Sequence, residues 1–128
     1  MITVLWILKG ILTFVFLASG LMKVLQNREK VITSSGKWAE GFSDLEVKII
    51  GIIEVVLALC LVVPKLLGHG YYLTSISAFG IAIVMGGAMY THYKRAEHMF
   101  IIINLLFLLI ALFIALLTCP LTQHWDYI

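Results

Sequence analysis

The chain has 128 residues, of which 62% are hydrophobic and 12% are charged, and its mean hydropathy is +1.05. Such a composition lies far outside the range of soluble globular proteins and indicates an integral membrane protein. The formal net charge of +2 is small and the sequence has no basic stripe, so nucleic acid is not an expected partner.

Four apolar stretches reach the length of about 20 residues that spans a bilayer as a helix. We predict transmembrane helices over 2–25, 44–67, 71–92 and 98–118, with a polar loop over 26–43 and short connections elsewhere. Short connections make consecutive helices antiparallel neighbours. The predicted fold is therefore an all-α integral membrane protein, a single antiparallel bundle of four transmembrane helices.

Basic residues are divided unevenly between the two ends of this bundle. Most lie in or beside the two connections at one end, namely Lys23, Arg28, Lys30, Lys37, Lys48, Lys94 and Arg95. Only Lys9 and Lys65 lie towards the other end. The positive-inside rule then predicts that both basic connections are cytoplasmic and both termini are outside. The short loops are typical of a protein of the bacterial inner membrane.

A sequence motif marks the start of the second transmembrane helix. Ser43 and Glu46 have the spacing of a capping box, in which each side chain bonds the other residue's backbone amide. The helix is expected to end near Pro64, with a turn over 68–70.

Glu54 lies within this apolar helix, where a carboxylate costs several kcal/mol unless a partner neutralises it, which makes it a candidate for a functional site. Alternating helix direction brings polar groups of all four helices to the cytoplasmic half of the bundle. The predicted ligand-binding residues are Glu54, Lys23, His92, His98, Tyr90, Asn104 and Ser19.

Each of these residues also has a purely structural interpretation. Lys23 can extend to the lipid headgroups, or it can form a structural pair with Glu54. The histidines can be solvated at the interface, and Asn104 can join two helices. Small residues predicted to pack helices closely are Gly51, Ala78, Ala82 and Gly86.

Metal and thiol chemistry have weak support in the sequence. The spacing of Glu54, His92 and His98 matches no standard metal site, so no metal is predicted. Cys60 and Cys119 do not form a CxxC pair, and we interpret both as small hydrophobic residues, with a functional disulfide as the lesser alternative.

The order of short motifs resembles the DoxX-like family of small four-helix membrane proteins. These motifs are Ala18-Ser19-Gly20-Leu21-Met22-Lys23, Gly51-Ile52-Ile53-Glu54, Val62-Val63-Pro64, Tyr90-Thr91-His92, Lys94-Arg95 and Ala96-Glu97-His98. The upstream Gly-x-x-Lys followed by Gly-x-x-Glu is the most specific part. The resemblance implies one of two roles. Some members are associated with quinone-linked or thiol-linked oxidoreductases as membrane subunits or partners, whereas the branch of the nicotinic-receptor assembly factor NACHO implies an assembly chaperone.

The leading hypothesis is a non-channel accessory protein, not an enzyme by itself, whose cytoplasmic-side pocket binds a quinone or a lipid-like molecule. Its pocket is built on Glu54, Lys23 and His92, and the candidate cofactor is a quinone. The alternative is an assembly factor that acts through helix faces, including the small-residue seam and the loop around Lys37-Trp38. Expected partners are the lipid bilayer, a membrane or redox protein, and a second copy of the chain. A transporter or proton channel is disfavoured because four helices enclose little pore.

Overall fold

The computed structural model of the chain describes residues 2–35, 37–70 and 72–119. Every regular element in these ranges is helical. The elements are α1 (Ile2–Leu25), α2 (Arg28–Ser35), a 3₁₀ helix (Lys37–Gly41), α3 (Asp44–Leu67), α4 (Tyr72–Lys94) and α5 (His98–Thr118). Helices α1, α3, α4 and α5 are long and apolar enough to cross a membrane. The prediction of an all-α membrane bundle is confirmed.

Contacts between the ends of the helices give an antiparallel arrangement. Lys48, near the start of α3, donates to the carbonyls of Val24 and Gln26 at the end of α1. Ser75, near the start of α4, donates to the carbonyl of Ala115 near the end of α5, at 2.9 Å. The long helices form two closely packed pairs, α1 with α3 and α4 with α5. Contacts between α3 and α4 join the two pairs, whereas α1 and α5 have few contacts.

The bundle core is apolar and receives side chains from all four long helices. Its fully buried members are Leu12, Ala58, Leu61, Ala78, Ile81, Ala111, Ile114 and Ala115. Because the outer faces are also apolar, the protein exposes many large hydrophobic side chains, as a bundle surrounded by lipid would. We call the end of the bundle at which α1 ends and α3 begins the α2 end.

The polar segment over 26–43 is not an open loop. It folds into α2 and the 3₁₀ helix around a small second core of Val31, Ala39 and Val47. Arg28 secures this segment by donating to the carbonyls of Phe42 (2.6 Å) and Glu40 (2.9 Å). The sequence contained too few apolar residues here to indicate a helix, and the contacts with the start of α3 supply the missing burial.

The predicted helix ends lie close to the observed ones. The capping box at the start of α3 is present, with Glu46 N donating to Ser43 Oγ at 3.1 Å and Ser43 N donating to Glu46 Oε1 at 2.9 Å. Helix α3 continues through Pro64 to Leu67 and is closed by Gly68 at a φ of 80°. Helix α4 ends at Lys94, two residues beyond the predicted bound of 92, and its predicted first residue, 71, lies outside the described residues.

Candidate functional site

Two glycines bring the backbones of α1 and α3 into contact near the α2 end. A Cβ atom on Gly20 would lie 2.6 Å from the carbonyl oxygen of Gly51, and one on Gly51 would lie 2.8 Å from that of Gly20. No side chain fits at such distances, so the close approach requires glycine at both positions. Gly51 is one of the predicted packing residues, and its partner Gly20 belongs to the Gly-x-x-Lys motif.

This contact places Lys23 beside Glu54. The Lys23 ammonium donates to Glu54 Oε1 at 2.6 Å and to Ser19 Oγ at 2.7 Å. Because helical side chains point back towards the N-terminus of their helix, the ammonium lies deeper in the bundle than the Lys23 backbone. With 7% exposure for Lys23 and 4% for Glu54, the pair is buried and Lys23 does not extend to the headgroups.

The second carboxylate oxygen of Glu54 is left unsatisfied. Oε2 is buried and has no hydrogen-bond partner within the described ranges. A buried polar atom without a partner is costly, and such atoms in a native protein need an explanation. A donor group of a bound molecule would satisfy this oxygen.

A cavity of about 920 Å³ adjoins this pair between the α1–α3 and α4–α5 pairs at the α2 end. Its volume lies within the usual range for small-molecule sites, roughly 300–1,000 Å³. Six of the seven predicted ligand-binding residues line it, namely Ser19, Lys23, Glu54, Tyr90, His92 and Asn104. The remaining wall is largely apolar and aromatic, with Phe16, Trp38, Phe42, Ile50, Ile53, Val84, Met85 and Phe107.

The seventh residue, His98, is exposed in the first turn of α5 and does not line the cavity. Tyr90 lies at the cavity rim, with 64% of its surface exposed. Among the predicted packing residues, Ala78 and Ala82 are buried in the core, but a Cβ on Gly86 would have no neighbour within 4 Å. Gly86 therefore makes no close helix contact with the part of the chain that the structure describes.

The described residues contain no cluster of histidine, cysteine and acidic side chains that would hold a metal ion. Cys60 and Cys119 are both half-buried and are not joined by a disulfide.

Sequence reasoning missed the aromatic cover and the basic rim of the cavity. Trp38 lies on the 3₁₀ helix, with the centroid of a Trp38 ring 5.1 Å from Lys23 Nζ. Arg95 lines the cavity, and its Nη2 lies 3.4 Å from Glu40 Oε2, which ties the α4–α5 turn to the 3₁₀ helix. A tryptophan in an otherwise polar segment was the one available signal, because a large apolar ring rarely stays in water.

Another residue that sequence reasoning did not place in the site is Glu97. Its Oε1 lies 3.1 Å from Nδ1 of His92. The cavity thus combines a buried ion pair, an unsatisfied carboxylate oxygen, a histidine held by an acid and aromatic walls. This combination suits a flat or elongated molecule with a polar head.

No curated protein and no solved structure shows significant similarity to the chain. A family model described as the DoxX-like family matches residues 7–114, which include every motif of the resemblance drawn from the sequence. Because this match covers most of the chain, the protein belongs to the DoxX-like family.

Proposed function

We propose that this DoxX-like membrane protein is a non-channel accessory protein that binds a quinone or a lipid-like small molecule in the cavity at the α2 end. The observation that carries the proposal is the buried Lys23–Glu54 pair at the cavity wall, in which Glu54 Oε2 has no hydrogen-bond partner among the described residues. A pair that served only to hold α1 and α3 together would be expected to satisfy both carboxylate oxygens within the protein.

The chemistry of the wall suits an amphipathic ligand. The Lys23 ammonium has three N–H groups and donates two of them to Ser19 and Glu54, so among the described residues one is left for a ligand carbonyl or hydroxyl. Glu54 Oε2 offers an acceptor beside it. Trp38, Phe42 and Phe107 offer ring faces and edges against which an aromatic head can pack.

A ligand tail can leave the cavity between α1 and α5. Both helices line the cavity, through Val15 and Phe16 on one side and Asn104 and Phe107 on the other, yet they touch each other sparsely. An isoprenoid or acyl chain in this gap would remain in the hydrocarbon while its head meets Lys23 and Glu54.

Beyond the cavity the bundle core is mainly apolar, although it also buries polar side chains, among them Lys9 and Ser75. Leu12, Leu61 and Ile81 are fully buried there. This supports a site that is closed at its inner end.

We propose the bacterial inner membrane as the location, with the α2 end in the cytoplasm, since the basic residues concentrate at that end. An oxidoreductase partner in the same membrane would exchange the ligand. The assembly-factor alternative has less support, because Ala78 and Ala82 of its proposed seam are buried within the chain itself. These two residues are unavailable to another protein.

The test is to purify the wild-type protein in mild detergent, extract it with organic solvent and quantify bound quinones and lipids by mass spectrometry. We expect close to one specific molecule per chain in the wild type and its loss in Glu54→Gln. Lys9→Met is the matched control, because Lys9 is also buried on α1 but does not line the cavity. Absence of any stoichiometric ligand in the wild type, or equal retention in Glu54→Gln, would contradict the proposal.

A further inference from the structure

The turn between α4 and α5 adopts an unfavourable backbone conformation. Ala96 has a φ of 57°, in the left-handed region that glycine normally occupies. Its N–H donates to the carbonyl of Tyr93 at 3.1 Å, and the N–H of Glu97 donates to that of His92 at 2.9 Å. These two bonds form the helix-ending motif in which glycine is the usual residue at the position of Ala96. The turn brings Glu97 back over the end of α4.

The Glu97 side chain bonds His92 and leaves the start of α5 uncapped. Glu97 is the N-cap residue of α5, but its side chain accepts no hydrogen bond from the α5 amides. Its Oε1 instead lies 3.1 Å from Nδ1 of His92 and 3.5 Å from Nε of Arg95. The strained turn at Ala96 and the missing side-chain cap of α5 therefore both accompany the contact between the Glu97 carboxylate and His92.

A second contact fixes the plane of the imidazole ring. The ring of Phe100, in the first turn of α5, stacks on it with a centroid distance of 4.9 Å and an angle of 20°. His92 is 9% exposed and lines the cavity. The ring is thus held in position by Glu97 at Nδ1 and by Phe100 against its face.

A carboxylate only accepts hydrogen bonds, so a neutral His92 bonded to Glu97 carries its proton on Nδ1. Nε2 is then an acceptor to which no described residue donates, and it is not among the enclosed atoms, so a ligand in the cavity can reach it. Glu54 Oε2, on another wall of the same cavity, is likewise an acceptor without a described partner. A ligand with hydrogen-bond donors would satisfy both acceptors, which lie on different helices.

We propose that Glu97 is a positioning residue of the cavity, which holds the neutral His92 proton on Nδ1 so that Nε2 and Glu54 Oε2 accept hydrogen bonds from a hydroxyl-bearing aromatic ligand of the hydroquinone class. This inference rests on the proposed ligand-binding function and narrows the ligand to a hydrogen-bond donor. A quinone, whose oxygens only accept, satisfies neither atom.

The tautomer is tested without any ligand. The protein is labelled with ¹⁵N-histidine in lipid nanodiscs, and the His92 signals are assigned with His92→Gln. We expect Nδ1 protonated and Nε2 unprotonated in the neutral ring of the wild type, and a mixture of tautomers in Glu97→Gln. Glu40→Gln is the matched control, because Glu40 also pairs with Arg95, whereas the described ion pair of His92 is with Glu97. A wild-type proton on Nε2, or an unchanged ring in Glu97→Gln, overturns the proposal.

Ligand preference is tested with a short-chain benzohydroquinone and its dimethyl ether, which has a similar ring but no hydroxyl protons. Binding is measured anaerobically by quenching of tryptophan fluorescence. We expect the hydroquinone to bind the wild type at least about tenfold more tightly than the ether, because the ether can donate to neither His92 Nε2 nor Glu54 Oε2. This preference should shrink in Glu97→Gln and persist in Glu40→Gln.

The two proposals fail in different ways. If both probes bind with a dependence on Glu54 but Glu97→Gln leaves the preference unchanged, the role of Glu97 is wrong and the ligand site stands. If the ether binds the wild type as tightly as the hydroquinone, the donor preference is wrong. If neither probe binds any variant, both the donor preference and the quinone-type site are overturned.

Discussion

Helix α1 carries two buried lysines that differ in what faces them. Lys23 is 7% exposed and donates to Glu54 and Ser19, beside a cavity. Lys9 is 1% exposed, its Nζ lies 4.0 Å from the centroid of a Trp6 ring, and it has no hydrogen bond or ion pair to a described residue. The burial of a charged side chain in a membrane helix is therefore not enough to identify a ligand-binding site. A carboxylate with one unsatisfied oxygen at a cavity wall is a better one.

The surroundings of the two lysines explain the difference. At the α2 end, Gly20 and Gly51 let the α1 and α3 backbones touch, which brings the Glu54 carboxylate within reach of Lys23. Near Lys9, Gly10 is exposed and a Cβ there would meet nothing within 4 Å. The aromatic face of Trp6 is the favourable contact at that end, and a cation–π contact of this kind contributes about 1–2 kcal/mol.

The largest expected effect comes from Lys23→Met, which leaves the Glu54 carboxylate buried without a counter-ion. We expect a loss of about 3–5 kcal/mol in the free energy of unfolding. Unfolding in mixed detergent micelles, followed by circular dichroism, measures it. The double variant Lys23→Met/Glu54→Leu should recover most of the loss. A loss below about 1 kcal/mol in the single variant would mean that the pair is not buried as described.

The second prediction tests the contact between Gly20 and Gly51, which is present at one end of α1 and has no counterpart near Lys9 at the other end. Gly20→Ala places a Cβ against backbone atoms of α3 and should lower the free energy of unfolding by about 1–3 kcal/mol. Gly10→Ala is the control, because the space there is open and alanine favours the helix by about 1 kcal/mol. The same unfolding measurement applies. Equal effects at the two positions would contradict the close approach of α1 and α3.

The third prediction concerns Lys9 itself. Lys9→Met removes a buried ammonium that has no described anionic partner and keeps a long apolar side chain. Replacing buried charge by apolar volume is often neutral or stabilising, so we expect a gain between zero and about 1 kcal/mol. A loss comparable to that of Lys23→Met would show that Lys9 has an anionic partner, and the contrast between the two lysines would then be wrong.

The smallest effects are expected at two helix-ending turns on opposite ends of the bundle. Ala96→Gly relieves the left-handed alanine and should raise the free energy of unfolding by about 0.5–1 kcal/mol. Gly68→Ala, at a φ of 80° after α3, should lower it by a similar amount. Thermal unfolding in detergent measures both shifts. Shifts of the same sign would contradict this interpretation of the α4–α5 turn.

Sequence reasoning succeeded where one local rule decided the outcome. The four membrane helices follow from the length of the apolar stretches, and the start of α3 follows from the Ser43–Glu46 capping box. Glu54 stood out because a carboxylate in an apolar run needs a partner. The family assignment rested on motifs within the matched range of 7–114.

The same reasoning could not anticipate what the orientation of a helix decides. His98 was included because the first turn of α5 lies at the correct depth, but its side chain is exposed and is not among those that line the cavity. Gly86 was included for its spacing, but it faces open space. In a membrane helix both the buried and the lipid-facing sides are apolar, so periodicity does not reveal which side faces the bundle.

The sequence by itself determined the number of membrane helices, their approximate ends, and the depth of the polar groups, because hydropathy and capping are local properties. Only the tertiary structure decided which of those groups meet. It brought Lys23 to Glu54 through the Gly20–Gly51 contact, Trp38 to the cavity wall, and Glu97 to His92 through the Ala96 turn. These contacts depend on how α1, α3, α4 and α5 are rotated and paired, and small-residue packing between helices sets that arrangement.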